Sequence, residues 1–190
     1  MTNPWLTHPD ILAAVEAVKA GGVIAYPTEG VWGLGCLPNN EQAVARILKL
    51  KHRAVEKGLI LVAADINQVI PWLDTLDSAQ LGLLSETWPG PNTWLVPHAN
   101  KVPAWITGEH EKVALRVSAH PIVQALCLLL DSTLVSTSAN PQGAPAALSA
   151  MQVSAYFGAD IDALAPGDLT NPGRPSVIRD LITGAEIRPA

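Results

Sequence analysis

The chain is poor in the features that usually announce a chemistry. Charged residues make up 15% of its 190 positions, and the acidic ones prevail, for a formal net charge of -5. That balance argues against general nucleic-acid binding by bulk charge, while leaving room for a local basic patch. There are only two cysteines, Cys36 and Cys127. Each sits in apolar surroundings, neither forms a CxxC, and both are expected as reduced core residues. The histidines His8, His52, His98, His110 and His120 are scattered, with no HExxH or HxH to suggest a metal site. A GxSxG elbow is missing, which leaves a Ser-His-Asp hydrolase unsupported, and neither GxGxxG nor a P-loop occurs. No apolar stretch is long enough to span a bilayer, and MTNPWLTHPD has no basic region leading into an apolar run. A cytoplasmic protein without a signal peptide is expected. Internal repeats and low-complexity segments are absent too.

What the chain does have is apolar bulk. Hydrophobic residues make up 48% of it, so a sizeable core can form and disorder is not expected. The length suits one large domain or two tightly joined halves. The patterning predicts a helix over 7–20 capped by Thr7 and stopped by Gly21, and a short buried strand over 23–26. The glycine-rich stretch Pro27 to Pro38 is expected as an apolar loop able to line a pocket. Asn40 should cap a second helix, followed by an apolar strand over 59–63 and two short helices within 66–84. Strands are expected over 93–96 and 112–117, and a helix over 120–130 with Pro121 in its first turn. A helix capped by Ser149 runs to Phe157, and two short strands close the chain around 176–179 and 185–188. Asp168 to Arg174, rich in Gly and Pro, reads as a mobile loop. Helices and strands alternate, but some strands follow each other directly. The expected fold class is therefore α/β, with a mixed parallel and antiparallel, twisted sheet.

Candidate chemistry concentrates in two places. LVSTSANPQGAPA, 134–146, begins as a buried strand and empties into a loop carrying Ser136, Thr137, Ser138 and Asn140, with Pro141, Gly143 and Pro145 preventing regular structure. Converging hydroxyls and freed backbone N–H groups can hold an anion; the plainer alternative is a turn that satisfies its own backbone. The second place is the cationic run Arg46, Lys49, Lys51, Arg53 and Lys57. Cations at a helix C-terminus are favoured in any case, yet so many in an acidic protein suit a polyphosphate clamp, a fork-shaped Arg beside a point-charge Lys. Arg116, alone in an apolar strand, needs either a carboxylate such as Glu29 or the carboxylate of a small ligand. Thr28 and Ser176 stand next to strands, where their hydroxyls can face the same ligand. Cations and hydroxyls without an obvious general base suit a reaction run by positioning and charge stabilisation, such as attack on a phosphoryl group.

Taken together, YPTEGVWGLGC, KHR followed by KGLILVAA, WPGPNTWLVP, VALRVSAHP, LVSTSANPQGAP and PSVIRD occur in the order found in YrdC-like threonylcarbamoyl-AMP synthases, and the chain resembles that family over nearly its whole length. The resemblance implies a single domain of the short bacterial form, 1–190, with an open twisted α/β sheet, helices packed on it and a concave ligand-binding face. It implies synthesis of threonylcarbamoyl-AMP and pyrophosphate from L-threonine, bicarbonate and ATP. That product serves threonylcarbamoylation of adenosine 37 in tRNA by downstream transfer proteins. Lys51 and Arg53 would hold the ATP phosphates, and Ser138 and Asn140 would help seat the nucleotide. Thr28, Arg116, Ser136 and Ser176 would surround threonine, with Mg²⁺ held through the phosphates rather than by a protein cage. Ala54 stands where the family often has Pro, and Lys57-Gly58 replaces a dipeptide ending in Pro, so a freer 53–59 loop is expected. Asn92 and Trp94 also take places more often apolar. A second reading, from another class, is an RNA-binding module in ribosome or tRNA maturation, using the cations of 46–57.

Overall fold

A computed structural model describes residues 3–189. Those residues form one nine-stranded mixed sheet, built from β1 (Ile24–Pro27), β2 (Trp32–Gly35), β3 (Ile60–Ala63), β4 (Asn92–Pro97), β5 (Lys112–Val117), β6 (Leu134–Ser138), β7 (Ala163–Leu164), β8 (Val177–Asp180) and β9 (Glu186–Arg188). The spatial order is β7-β1-β2-β6-β3-β5-β4-β8-β9. The β1/β7, β3/β5 and β4/β8 pairs are parallel and the other neighbours antiparallel. The helices are α1 (Pro9–Lys19), α2 (Glu41–Lys51), α3 (Ser78–Thr87), α4 (Ala104–Thr107), α5 (Pro121–Leu130) and α6 (Ala150–Phe157).

Several expectations needed correction. The cap of α1 is His8, whose ring nitrogen accepts from Asp10 N–H at 3.2 Å, because Pro4–Thr7 has already closed into a 3₁₀ turn. The glycine-rich stretch is a tight β1–β2 hairpin. Gly35 serves close packing: a Cβ there would sit 2.5 Å from the Val135 carbonyl and 2.7 Å from the Tyr26 ring. The 66–84 region is two 3₁₀ turns, Ile66–Gln68 and Ile70–Trp72, followed by α3 with a complete Asp77/Gln80 capping box. The short α4 and β7 carry too few residues to show a period. The 168–174 segment, expected to be mobile, is tied across the hairpin turn by Asn171 N–H to Glu29 O (2.6 Å) and Gly173 N–H to Gly30 O (2.8 Å). At Gly30 a side chain would fall on the Arg174 carbonyl, so only glycine allows this crossing.

The sheet separates two cores. One face packs Leu34, Leu61, Val113, Leu115 and Val135 against α2, α3, α4 and α6. The other packs Ile24, Tyr26, Val62 and Leu134 against α1 and α5. Successive strand residues alternate between faces. α1 and α5 cover only part of the second face, and the remainder is open. Strand register lays one stepped row across that open part: Gly33 pairs with Ser138, two residues along β6 Ser136 pairs with Ile60, Ile60 also pairs with Ala114, and Leu95 pairs with both Ala114 and Asp180. Glycine, serine and alanine in this row leave space where larger residues would fill it. The row is the floor of the candidate site.

Candidate functional site

A cavity of about 620 Å³ stands on this floor, within the range of small-molecule sites. Its walls include Thr28, Arg53, Lys57, Arg116, Ser136, Thr137, Ser138, Ser176 and Arg188. Arg53 and Ser138, from the two sequence clusters, thus face one space, joined there by Thr28, Arg116, Ser136 and Ser176. Lys51 and Asn140 line it only indirectly.

The cationic run divides. α2 ends at Lys51; His52 takes a left-handed conformation (φ 50°) and Arg53 N–H reaches back to Leu48 O at 2.9 Å. This sharp ending sends consecutive cations in different directions. Arg46 pairs with Asp162 at 2.6 Å, away from the cavity, and Lys49 is exposed. Lys51 is buried, its ammonium donating to Ser138 O, to Asn140 O (2.9 Å) and to Asn140 Oδ1 (3.3 Å). Gln142 N–H donates to Lys51 O at 2.9 Å, so the loop is clasped from both sides. Burial, aided by the nearby Arg53 charge, pulls the Lys51 pKa down to about 8. The expected clamp is therefore reshaped: Arg53 faces the cavity, while Lys51 grips the hydroxyl-bearing loop from behind. Arg53 Nη2 donates to Gly58 O at 2.9 Å, and its buried Nε has no partner among the described residues. Burial lowers its pKa. The 53–59 loop, expected to be freer than usual, is pinned here by Arg53 and by Leu59 N–H to Ile106 O at 2.8 Å.

Asn140 is the organiser of its loop. Its Nδ2 donates to Ala144 O (2.7 Å) and Pro141 O (3.2 Å), and its Oδ1 accepts from Ser138 Oγ at 2.6 Å. The turn thus satisfies its own backbone, and Ser138 also borders the cavity.

Further along β5 from Ala114, Arg116 is buried and paired with Glu29. Burial pulls its pKa to about 10, which leaves it charged at neutral pH. Its Nε is a buried donor without a partner among the described residues. Thr28 Oγ1 donates to Val31 O at 2.7 Å, and Ser176 Oγ shares a hydrogen bond with Thr93 Oγ1 at 2.8 Å. Sequence reasoning missed Arg188, whose one signal is a lone cation in the closing strand. Its guanidinium donates to Ser176 O (2.6 Å) and Oγ (3.2 Å). Its pKa is lowered by burial and by the Arg53 charge, and both arginines line the cavity. Cys36 and Cys127 are free and buried, as expected, their thiols pushed up to about 12 by burial.

The family model described as telomere recombination, covering the Sua5, YciO and YrdC proteins, matches residues 16–189. The chain belongs to this family. The threonylcarbamoyl-AMP synthase of Pseudomonas aeruginosa strain PAO1 is 56% identical over 177 residues, covering 93% of this chain and 95% of that protein. Among solved structures, P. abyssi Sua5 complexed with L-threonine superposes with a TM-score of 0.86 at 33% identity, covering 93% of this chain and 52% of that one. The chain spans about half of that longer protein. E. coli YciO superposes with a TM-score of 0.83 at 26% identity, covering 94% of this chain and 88% of the other. These family members share the mixed sheet described above. No described helix is long and apolar enough to cross a membrane.

Proposed function

We propose that this chain joins L-threonine, bicarbonate and ATP into threonylcarbamoyl-AMP, with release of pyrophosphate. One observation carries the reading: the cationic Arg53 wall and the hydroxyl-bearing Ser136–Ser138 strand meet a buried arginine, Arg116, across one cavity of about 620 Å³. The family's synthases, similar over nearly their full length, support it.

Threonine's amine takes up the carbon of bicarbonate, losing water, to give a carbamate. A carbamate oxygen attacks the α-phosphorus of ATP, and the bond to the bridging oxygen breaks with its electron pair leaving on pyrophosphate. Arg53 and Arg188 stabilise charge growing on the departing group, and the phosphate lies beside Ser138, on the loop that Lys51 and Asn140 hold in shape. Arg116 receives the threonine carboxylate, with Thr28, Ser136 and Ser176 around it. Among the described residues no three His, Cys, Asp or Glu side chains converge as a cage; Mg²⁺ arriving with ATP would be held through the phosphates and water and would neutralise phosphate charge. The product then passes to transfer proteins that modify tRNA, in a soluble compartment such as the cytoplasm.

The RNA-binding alternative has less support than the enzyme, although Lys49 and Lys57 stay exposed. Of its basic patch, Arg46 is paired with Asp162 and Lys51 is buried. The test is production of threonylcarbamoyl-AMP and pyrophosphate by the purified chain, with each of threonine, bicarbonate and ATP omitted in turn. Product formation that ignores threonine, or salt-sensitive RNA binding with no turnover, would refute the proposal.

A further inference from the structure

Glu29 lies at the site without lining it. Its carboxylate is buried and fully engaged. One oxygen accepts from Arg116, the other from Ser118 Oγ (2.9 Å) and Ala119 N–H (3.0 Å). Its backbone carbonyl accepts from Asn171 N–H at 2.6 Å. A single residue therefore joins three pieces of chain: the hairpin turn that bears Thr28, the strand that bears Arg116, and the crossing segment that leads to Ser176.

Stability alone gives a weak reason for this arrangement. Burying two opposite charges costs about as much desolvation as their attraction returns, and apolar residues of similar size serve a core at least as well. What an ion pair gives that an apolar pair does not is orientation. A guanidinium is a rigid planar fork, so fixing one nitrogen fixes the plane. Here Nη2 is committed to Glu29, and Nε, also buried, has no partner among the described residues. An arginine with one nitrogen of its fork anchored while its side chain lines a cavity is preset for a second, planar anion.

We propose that Glu29 is a positioning residue: it sets the plane of Arg116 so that the remaining face of the guanidinium meets the carboxylate of the amino-acid substrate. This rests on the threonine reading above. Glu29 touches no reacting atom, and its effect passes through Arg116.

Glu29→Gln tests it. Glutamine keeps an oxygen for Ser118 and Ala119 but turns an amide donor toward the Arg116 donor, so the fork must rotate. Threonine binding by calorimetry should weaken about tenfold or more, with KM for threonine rising in parallel. Affinity for ATP and kcat at saturating threonine should stay within about threefold. In the background of Arg116→Ala, adding Glu29→Gln should cost no further threonine affinity, because its route of action is gone. Should Glu29→Gln fail to fold, Ser118→Ala replaces it: loss of the hydroxyl that anchors the carboxylate should weaken threonine binding several-fold and leave ATP binding alone. An unchanged threonine affinity, additive costs in the double variant, or equal losses for threonine and ATP accompanied by lower thermal stability would each overturn the proposal. A wild-type chain that neither binds threonine nor forms product overturns the functional reading itself. A wild-type chain that turns over while Glu29→Gln binds threonine normally overturns only the positioning role.

Discussion

Replacing Lys51 by Met should separate function from stability. The ammonium is 4% exposed as a residue and has three acceptors. Two of those keep other donors once it is gone: Ser138 O accepts from Asn140 N–H at 3.0 Å, and Asn140 Oδ1 from Ser138 Oγ at 2.6 Å. Only Asn140 O is stranded, a loss of about 1–3 kcal/mol. Against this stands the cost of burying the charge. A pKa of about 8 against an ordinary 10.5 means that the folded chain disfavours the ammonium by roughly 3 kcal/mol relative to water. Methionine fills the space of the stem without that cost. The two terms nearly cancel, so the melting temperature at pH 7 should change by less than about 6 °C. The loop that presents Ser138 nevertheless loses its rear clasp and a nearby positive charge, and ATP affinity should fall about 10- to 100-fold. Calorimetric unfolding and ATP titration measure the two quantities on the same preparation. A large fall in melting temperature with undiminished ATP affinity would show that Lys51 is a structural strut and nothing more.

Other expectations follow from the same geometry. Lys51 has its pKa lowered on folding, so between about 8 and 10.5 the unfolded chain carries a proton the folded chain has shed; its contribution to stability should rise with pH across that window and be lost as pH falls through about 8, while activity declines above about 8. Denaturation and rate profiles against pH, each repeated with Lys51→Met, would show whether both features belong to this residue. Arg53→Ala should weaken ATP binding about tenfold or more by titration, with the fold retained, because the lost internal bonds are to the Lys57 and Gly58 carbonyls at the cavity edge. Gly30→Ala should push the 171–175 crossing off the hairpin and lower stability by about 2 kcal/mol or more in urea unfolding, with weaker threonine binding. Cys36→Ser should leave kcat/KM nearly unchanged while costing about 1–3 kcal/mol, since a hydroxyl replaces a thiol in a fully buried place.

The long apolar runs and their caps were legible in sequence because they are local. Asn40 and Ser149 cap their helices where expected, and β5 matches the expected range. The hairpin at 27–35 was not, since its glycines looked like loop punctuation. Val135 against Gly35 and the Arg174 carbonyl against Gly30 explain them, and those are long-range contacts. The same limit applies at the site. Residue types marked Arg53, Arg116 and the hydroxyl strand. They could not reveal that Lys51 turns toward Ser138 and Asn140, because those partners lie 87 and 89 positions away in the sequence. Arg188 stayed hidden because its relevance depends on β9 folding back beside Ser176.

The cavity floor is a single row drawn from six strands, and its register is what places Ser136, Ser138 and Ala114 on it. Sliding β6 by one position would rotate both serines into the helix-covered interior and put Val135 and Thr137 in their stead. No fragment of the molecule can carry a partial version of such a pocket, because each strand contributes one or two tiles. Ligand occupancy should therefore slow amide hydrogen exchange in the central strands as a block, by the full binding free energy, rather than protecting the contacted loops alone.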